Sequence, residues 1–172
     1  MFNPFAIFSL EEDFTIDNKA LEAKYLELMK VYHPDKVVNE EESKRIAFMT
    51  KSTQINDAYN ILKNDVKRAQ ALIDLKKDQV HFDETVAKQD NQFLFVQLQM
   101  REAVEKLSHN FSEEKFNALK SQAKALLTEN KANLVEAFAK EDLGLAQKLV
   151  YRLQFLAKLS SEIENVEDKY LI

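Results

Sequence analysis

The sequence predicts an all-α protein made of two helical halves, and three observations carry that prediction. A single glycine among 172 residues leaves a sheet protein without the residue that tight hairpin turns most often need. Apolar residues recur at three- and four-residue steps, as in Leu21, Tyr25, Leu28 and Tyr32, which is the period of one helix face. Hydrophobic residues make up 45% and charged residues 31%, a composition that closes a core beneath a solvated surface.

The elements follow in order. Pro4 to Phe8 form a short first helix, with Asn3 as its cap and Phe5 and Phe8 on one side. Asp17 or Asn18 caps a second helix that must end near Tyr32, because the residue before a proline is pushed out of the α region. A third helix opens in the acidic run Glu40-Glu41-Glu42-Ser43 and carries Ile46, Met49, Ile55, Ala58, Tyr59 and Leu62. A fourth runs through D-V-K-R-A-Q-A-L-I-D-L, with Ala69, Leu72 and Ile73 facing inward. From Lys76 to Lys88 the apolar period breaks, so the chain divides into residues 1–75, a linker 76–88 and a second half 89–172. The second half holds a helix from Asp90 to Ser108, another from Ser112 to Thr128, a bridging stretch Asn133–Lys140, and a last helix beginning after Gly144. In that last helix Leu149, Leu156, Ile163 and Tyr170 repeat every seventh position, with Leu159 and Val166 between them, the mark of a bundle seam.

Composition removes several function classes. With no cysteine there are no disulfides, thiol nucleophiles or thiolate metal ligands, and His33, His81 and His109 match no metal-binding spacing. No cofactor is expected. A net charge of −5 and a pI near 5.3 lack the electrostatic footprint of a nucleic-acid binder. No apolar run approaches the length of a membrane span, and the start M-F-N-P-F-A-I-F-S-L lacks the basic flank of a secretion signal. A soluble, cytoplasmic protein without nucleic-acid or membrane partners is the expectation. The acid pairs Glu11-Glu12 and Glu113-Glu114 stand near helix starts, where negative charge is favourable, so they do not indicate acid–base catalysis.

One stretch demands a different reading. His33-Pro34-Asp35-Lys36 separates two helices, and a helix needing only an end would not require those four residues. Proline fixes φ and stiffens the connection, so His33 and Asp35 project as preorganised polar contacts. The flanking pattern Tyr25-x-x-Leu28-x-x-x-Tyr32 and the downstream Ile55-Asn56-x-Ala58-Tyr59-x-x-Leu62 resemble the J domain of DnaJ-type co-chaperones. The resemblance implies stimulation of ATP hydrolysis in a DnaK-class chaperone, with His33, Pro34, Asp35, Lys36, Lys24 and Lys30 on the docking face. Leu26 and Glu27 stand where general J proteins are often basic, a departure that points to a dedicated chaperone.

General DnaJ-type proteins continue into glycine-rich or cysteine-rich segments, which this composition forbids. Instead Asn3-Pro4-Phe5-x-x-Phe8, Leu62-Lys63 with Arg68-Ala69-x-x-Leu72, Phe93-Leu94-x-x-Gln97-Leu98-x-x-Arg101-Glu102 and Arg152-Leu153-x-Phe155-Leu156-x-Lys158-Leu159 are similar to the HscB family, the J-type co-chaperones of iron–sulfur cluster assembly. This resemblance covers nearly the whole chain. It implies an N-terminal J domain joined to a C-terminal three-helix bundle that delivers an IscU-type iron–sulfur scaffold to an HscA-type chaperone. Periodicity adds an observation of its own. Phe93, Val96, Met100, Val104 and Leu107 form one inward seam, yet Leu94, Phe95 and Leu98 are also apolar and fall off it, as Phe155 does in the last helix. By the resemblance these four form the scaffold-binding patch, with Arg101 and Glu102 as polar rim. Gln99 stands where the family would carry an acid. The chain then acts as an adaptor and not as an enzyme, and the alternative is a J protein whose bundle holds unfolded clients or another partner.

Overall fold

The computed structural model describes residues 1–171. They form two compact units, Met1–Asp78 and a second from Gln79 onward, each with its own core.

The first unit contains α1 (Pro4–Ile7), α2 (Asn18–Tyr32), a 3-10 turn (Pro34–Val37), α3 (Glu42–Leu62) and α4 (Asp65–Lys76). Local chemistry sets the boundaries. The side chain of Asn3 accepts from the Phe5 and Ala6 amides, Asp17 from Lys19 and Ala20, and Asn64 from Lys67, each satisfying donors that a helix start leaves unpaired. α2 and α3 run antiparallel, because Tyr25 meets Asn56 and Tyr59 while Tyr32 meets Phe48 and Lys51. The Tyr25 hydroxyl donates to Asn56 Oδ1 at 2.7 Å, and its ring stacks on Tyr59 with centroids 4.2 Å apart. Ile55, Ala58 and Leu62 lie fully buried on the same stretch, so every fixed residue of I-N-x-A-Y-x-x-L serves the hairpin seam. Ile46 and Met49 do not. They belong to α3 as expected but are 56% and 60% exposed, because the buried stripe of α3 begins at Ser52.

Arg68 closes this unit. It is buried, donates from Nε to the Phe14 carbonyl (2.6 Å) and from Nη1 to the Leu62 carbonyl (2.7 Å), and pairs through Nη2 with Asp65 (2.7 Å). Its guanidinium also lies 4.9 Å from the centre of the Phe14 ring. One side chain thereby ties the α3–α4 connection to the loop before α2.

The second unit contains α5 (Glu84–Lys88), α6 (Asn91–His109), α7 (Glu113–Ala139) and α8 (Leu143–Tyr170). The segment read as a linker therefore holds a short helix, capped by Asp83 and seated on α8 through buried Ala87. α7 is one unbroken helix where the apolar pattern indicated a stop at Thr128 and a separate bridging stretch. The break in that pattern comes from buried Asn130, whose side chain donates to the Leu149 carbonyl of α8 at 2.9 Å. A polar residue satisfied by a neighbouring helix reads in the sequence as an interruption. α7 ends where Glu141 adopts φ 56° and the Asp142 amide reaches back to the Ala137 carbonyl (2.9 Å), a left-handed cap made without glycine. Asp142 then caps α8 by accepting from Leu145, which places Gly144 inside the first turn and not ahead of it.

Three cross-links define the bundle's directions. Asp90 meets Arg152, Arg101 meets Glu162, and the Tyr170 hydroxyl donates to the Ser108 carbonyl, at sequence separations of 62, 61 and 62. A constant offset means that α6 and α8 run parallel and in register. α7 packs antiparallel to α8, pairing Asn130 with Leu149 and Lys120 with Glu167. The seam predicted along α8 is buried at Leu149, Leu156, Leu159, Ile163 and Val166. Tyr170 is not part of that core: it is exposed and stacks on Phe111 at 4.6 Å.

Candidate functional site

The candidate residues fall on two surfaces. The first is the connection between α2 and α3. Pro34 has no amide hydrogen, so the first donor of the 3-10 turn is the Asp35 amide, which donates to His33 Nδ1 at 3.2 Å. The Lys36 amide bonds to the His33 carbonyl at 3.0 Å, and the His33 amide to the Met29 carbonyl at 3.0 Å. The loop is thus closed by its own atoms. Because Nδ1 accepts, the neutral ring carries its proton on Nε2. The Asp35 carboxylate, 3.5 Å from Nδ1, is 85% exposed and the His33 side chain 48% exposed. An N–H donor and a carboxylate acceptor are therefore held side by side on a stiff turn.

The residues grouped with this loop are not equivalent. Lys36 and Lys30 are exposed. Lys24 is partly buried and donates from Nζ to the Phe8 carbonyl at 3.1 Å, fastening the end of α1. Val38, Ile46 and Met49, exposed beside the loop, line a shallow cleft of about 360 Å³ together with Pro34, Asp35, Glu42 and Arg45.

The second surface lies on the bundle. Phe93, Met100 and Leu107 are buried and Val96 and Val104 partly so, as one seam requires. Leu94, Phe95 and Leu98 are 51%, 64% and 63% exposed. Leu94, Leu98 and Arg101 share one face of α6 at four- and three-residue steps. Phe155, by contrast, is half-buried and packs against the core. Glu102 is exposed and paired with Lys106 at 2.9 Å.

Phe155 belongs to a ladder that sequence reading did not find. Arg152 lies 5.2 Å from the Phe93 ring centre, Phe93 meets Phe155 edge-on at 5.7 Å, and Arg101 lies 5.3 Å from the Phe155 centre. Each end is closed by a carboxylate. Asp90 accepts from Arg152 Nε and Nη2 at 2.5 and 2.9 Å, and Glu162 accepts from Arg101 Nη1 at 3.0 and 3.2 Å. The alternation Asp90–Arg152–Phe93–Phe155–Arg101–Glu162 straps α6 to α8 through cation–π and aromatic contacts worth about 0.5 to 1.5 kcal/mol each. The only signal available in the sequence was the offset of about 61 residues between the charged partners, which no local pattern reports.

The hydrogen bonds from Arg152 are the main cause that holds the Asp90 carboxyl below the ordinary aspartate value of 3.8, against the opposing effect of its burial. A depressed carboxylate stabilises the fold fully above its unfolded value and loses that contribution as pH falls through the folded value. Asp90→Asn keeps a helix cap but removes the charge. At neutral pH it is expected to cost about 1 to 2 kcal/mol. The deficit relative to wild type should shrink as pH drops below about 4. Urea unfolding measured along a pH series checks this; a deficit that stays constant into acid would mean that the pair's charge contributes nothing.

Known proteins resemble both halves of this chain. The DnaJ domain model matches residues 3–71, and the model described as HSCB C-terminal oligomerisation domain matches residues 89–164. Across 98% of its length the chain is 39% identical to the co-chaperone protein HscB homolog of Haemophilus influenzae, covering 97% of that protein. This chain belongs to the HscB family. The HscB homolog of Shewanella halifaxensis is 34% identical over 96% of the chain and 97% of its own length. The fold agrees with that of chaperone HscB from Vibrio cholerae at a TM-score of 0.86, with 30% identity and coverage of 97% and 98% of the two chains. Human co-chaperone HscB shares the fold at a TM-score of 0.81 over 94% of this chain and 80% of its own, with 24% identity. The protein is an HscB-type co-chaperone of the DnaJ class, with a J domain followed by a helical bundle. No helix among the described residues is long and apolar enough to cross a membrane.

Proposed function

We propose that this co-chaperone stimulates ATP hydrolysis by an HscA-type, DnaK-class chaperone and delivers an IscU-type iron–sulfur scaffold to it. Residues 1–75 act as the J domain, docking through His33, Pro34, Asp35 and Lys36 with Lys30 as a peripheral cation. Lys24 supports that face from within, since its ammonium is engaged by the Phe8 carbonyl. Residues 89–172 hold the scaffold on Leu94, Phe95 and Leu98, with Phe155 as a partly buried backing and Arg101 and Glu102 at the rim. The observation that carries this reading is the double apolar character of α6, one stripe buried in the bundle and a second exposed at Leu94, Phe95 and Leu98. A bundle helix needs only the first stripe, so the second is a surface for another protein.

The protein performs no chemistry on the scaffold in this reading. It lowers the barrier for hydrolysis in its partner, and the covalent connection between its units raises the concentration of scaffold near the chaperone. Single-turnover ATP hydrolysis by a matched HscA-type chaperone, with this protein alone and with scaffold added, tests it. Strong stimulation that increases further with scaffold is the expected result. Stimulation indifferent to scaffold would favour a bundle that holds unfolded clients, and no stimulation would overturn the J-domain assignment of function.

A further inference from the structure

The two arginines of the ladder are used differently. Arg152 presents the edge formed by Nε and Nη2 to both oxygens of Asp90, so its fork is closed. Arg101 donates through Nη1 to both oxygens of Glu162. Among the described residues the Nε and Nη2 atoms of Arg101 have no hydrogen-bond partner within the chain. The guanidinium is also kept in place by the Phe155 ring at 5.3 Å. It lies on the same face of α6 as Leu94 and Leu98, three residues past Leu98.

A guanidinium fixed by one nitrogen and one aromatic face, with its planar fork unfilled, is built to receive a carboxylate through two parallel hydrogen bonds. Holding the side chain beforehand removes rotamer entropy that a free arginine would lose on binding. We propose that Glu162 is a positioning residue for Arg101, and that Arg101 receives an acidic side chain of the scaffold next to the residue seated on Leu94 and Leu98. This rests on the scaffold-binding reading given above. Glu162 itself does not touch the scaffold. It acts from α8, 61 positions away from the arginine that it orients.

Calorimetric titration of the 172-residue protein with an IscU-type scaffold tests the inference, using Leu98→Ala, Arg101→Ala, Glu162→Ala and the double variant Arg101→Ala/Glu162→Ala. Leu98→Ala and Arg101→Ala should each weaken binding about tenfold, the size of a well-placed contact in an interface. Glu162→Ala should weaken it about threefold in the wild-type background and not at all in the Arg101→Ala background, because it acts only through that arginine. Added salt should weaken binding of the wild type more steeply than binding of Arg101→Ala. Neutral results for both Leu98→Ala and Arg101→Ala would sink the scaffold face itself. If those two weaken binding but Glu162→Ala is neutral, tightens binding or adds in full to Arg101→Ala, the face stands and the positioning role is wrong. Equal salt dependence in wild type and Arg101→Ala would overturn the carboxylate assignment.

Discussion

His33→Gln is expected to remove the stimulation of chaperone ATP hydrolysis, by about tenfold or more, while leaving the protein folded. The imidazole has two jobs in the turn. Its Nδ1 accepts from the Asp35 amide at 3.2 Å, and that bond holds the half-exposed ring beside the exposed Asp35 carboxylate, 3.5 Å from Nδ1. Glutamine can offer an oxygen to the same amide, but its one additional rotatable bond frees the donor end, and the fixed pairing with Asp35 is lost. The fold is indifferent to this exchange. Backbone bonds from Lys36 to His33 and from His33 to Met29 remain, and a partly exposed cap of this kind is worth only about 1 kcal/mol. Single-turnover hydrolysis and helical circular dichroism should therefore separate. Stimulation that survives the substitution would show that the loop merely ends α2; loss of helical signal would show that the histidine is structural.

The second large effect concerns Arg68. Arg68→Met keeps most of the aliphatic volume and removes every donor, so the Phe14 and Leu62 carbonyls lose buried partners and Asp65 loses its cation. Removing a buried donor of this kind costs about 1 to 3 kcal/mol for each bond lost. Asp65 is about one-third exposed, so water recovers part of its loss. The first unit should lose about 3 kcal/mol, with little effect on the second. Amide exchange across α3, α4 and α8 reads the two units separately: α3 and α4 should lose protection while α8 keeps it. A loss below about 1 kcal/mol in α4 would mean that water replaces the arginine, because only solvated acceptors tolerate such a deletion.

These two residues also show what kinds of feature were legible beforehand. His33, Pro34 and Asp35 are neighbours in the chain, and a turn is a local object, so their spacing announced it. Arg68 stands out in the sequence only as part of a family pattern. Its purpose depends on a carbonyl 54 residues earlier, and no periodicity can express that. The same division runs through the bundle. The seam of α6 and the excess of Leu94, Phe95 and Leu98 were visible as a second apolar stripe. Phe155 falls off its own seam in the same way, yet it is half-buried beneath Arg101 and against Phe93. Lys24 looks in the sequence like Lys30, a cation on a solvated face, although its ammonium is engaged by the Phe8 carbonyl.

By itself, the sequence determined the all-α class, most helix starts, the paired-helix frame around His33-Pro34-Asp35 and the seam of α8. Those features follow from caps, proline and apolar period, all of which act within a few residues. Only the tertiary structure decided the continuity of α7 through Asn130, the helix within 76–88, the exposure of Ile46 and Met49, and the ladder from Asp90 to Glu162. Each of these depends on which distant segments pack against a residue and which leave it uncovered. A buried amide looks like a break until the Leu149 carbonyl is set opposite it, and a surface arginine looks solvated until the register of two parallel helices brings Glu162 to its side.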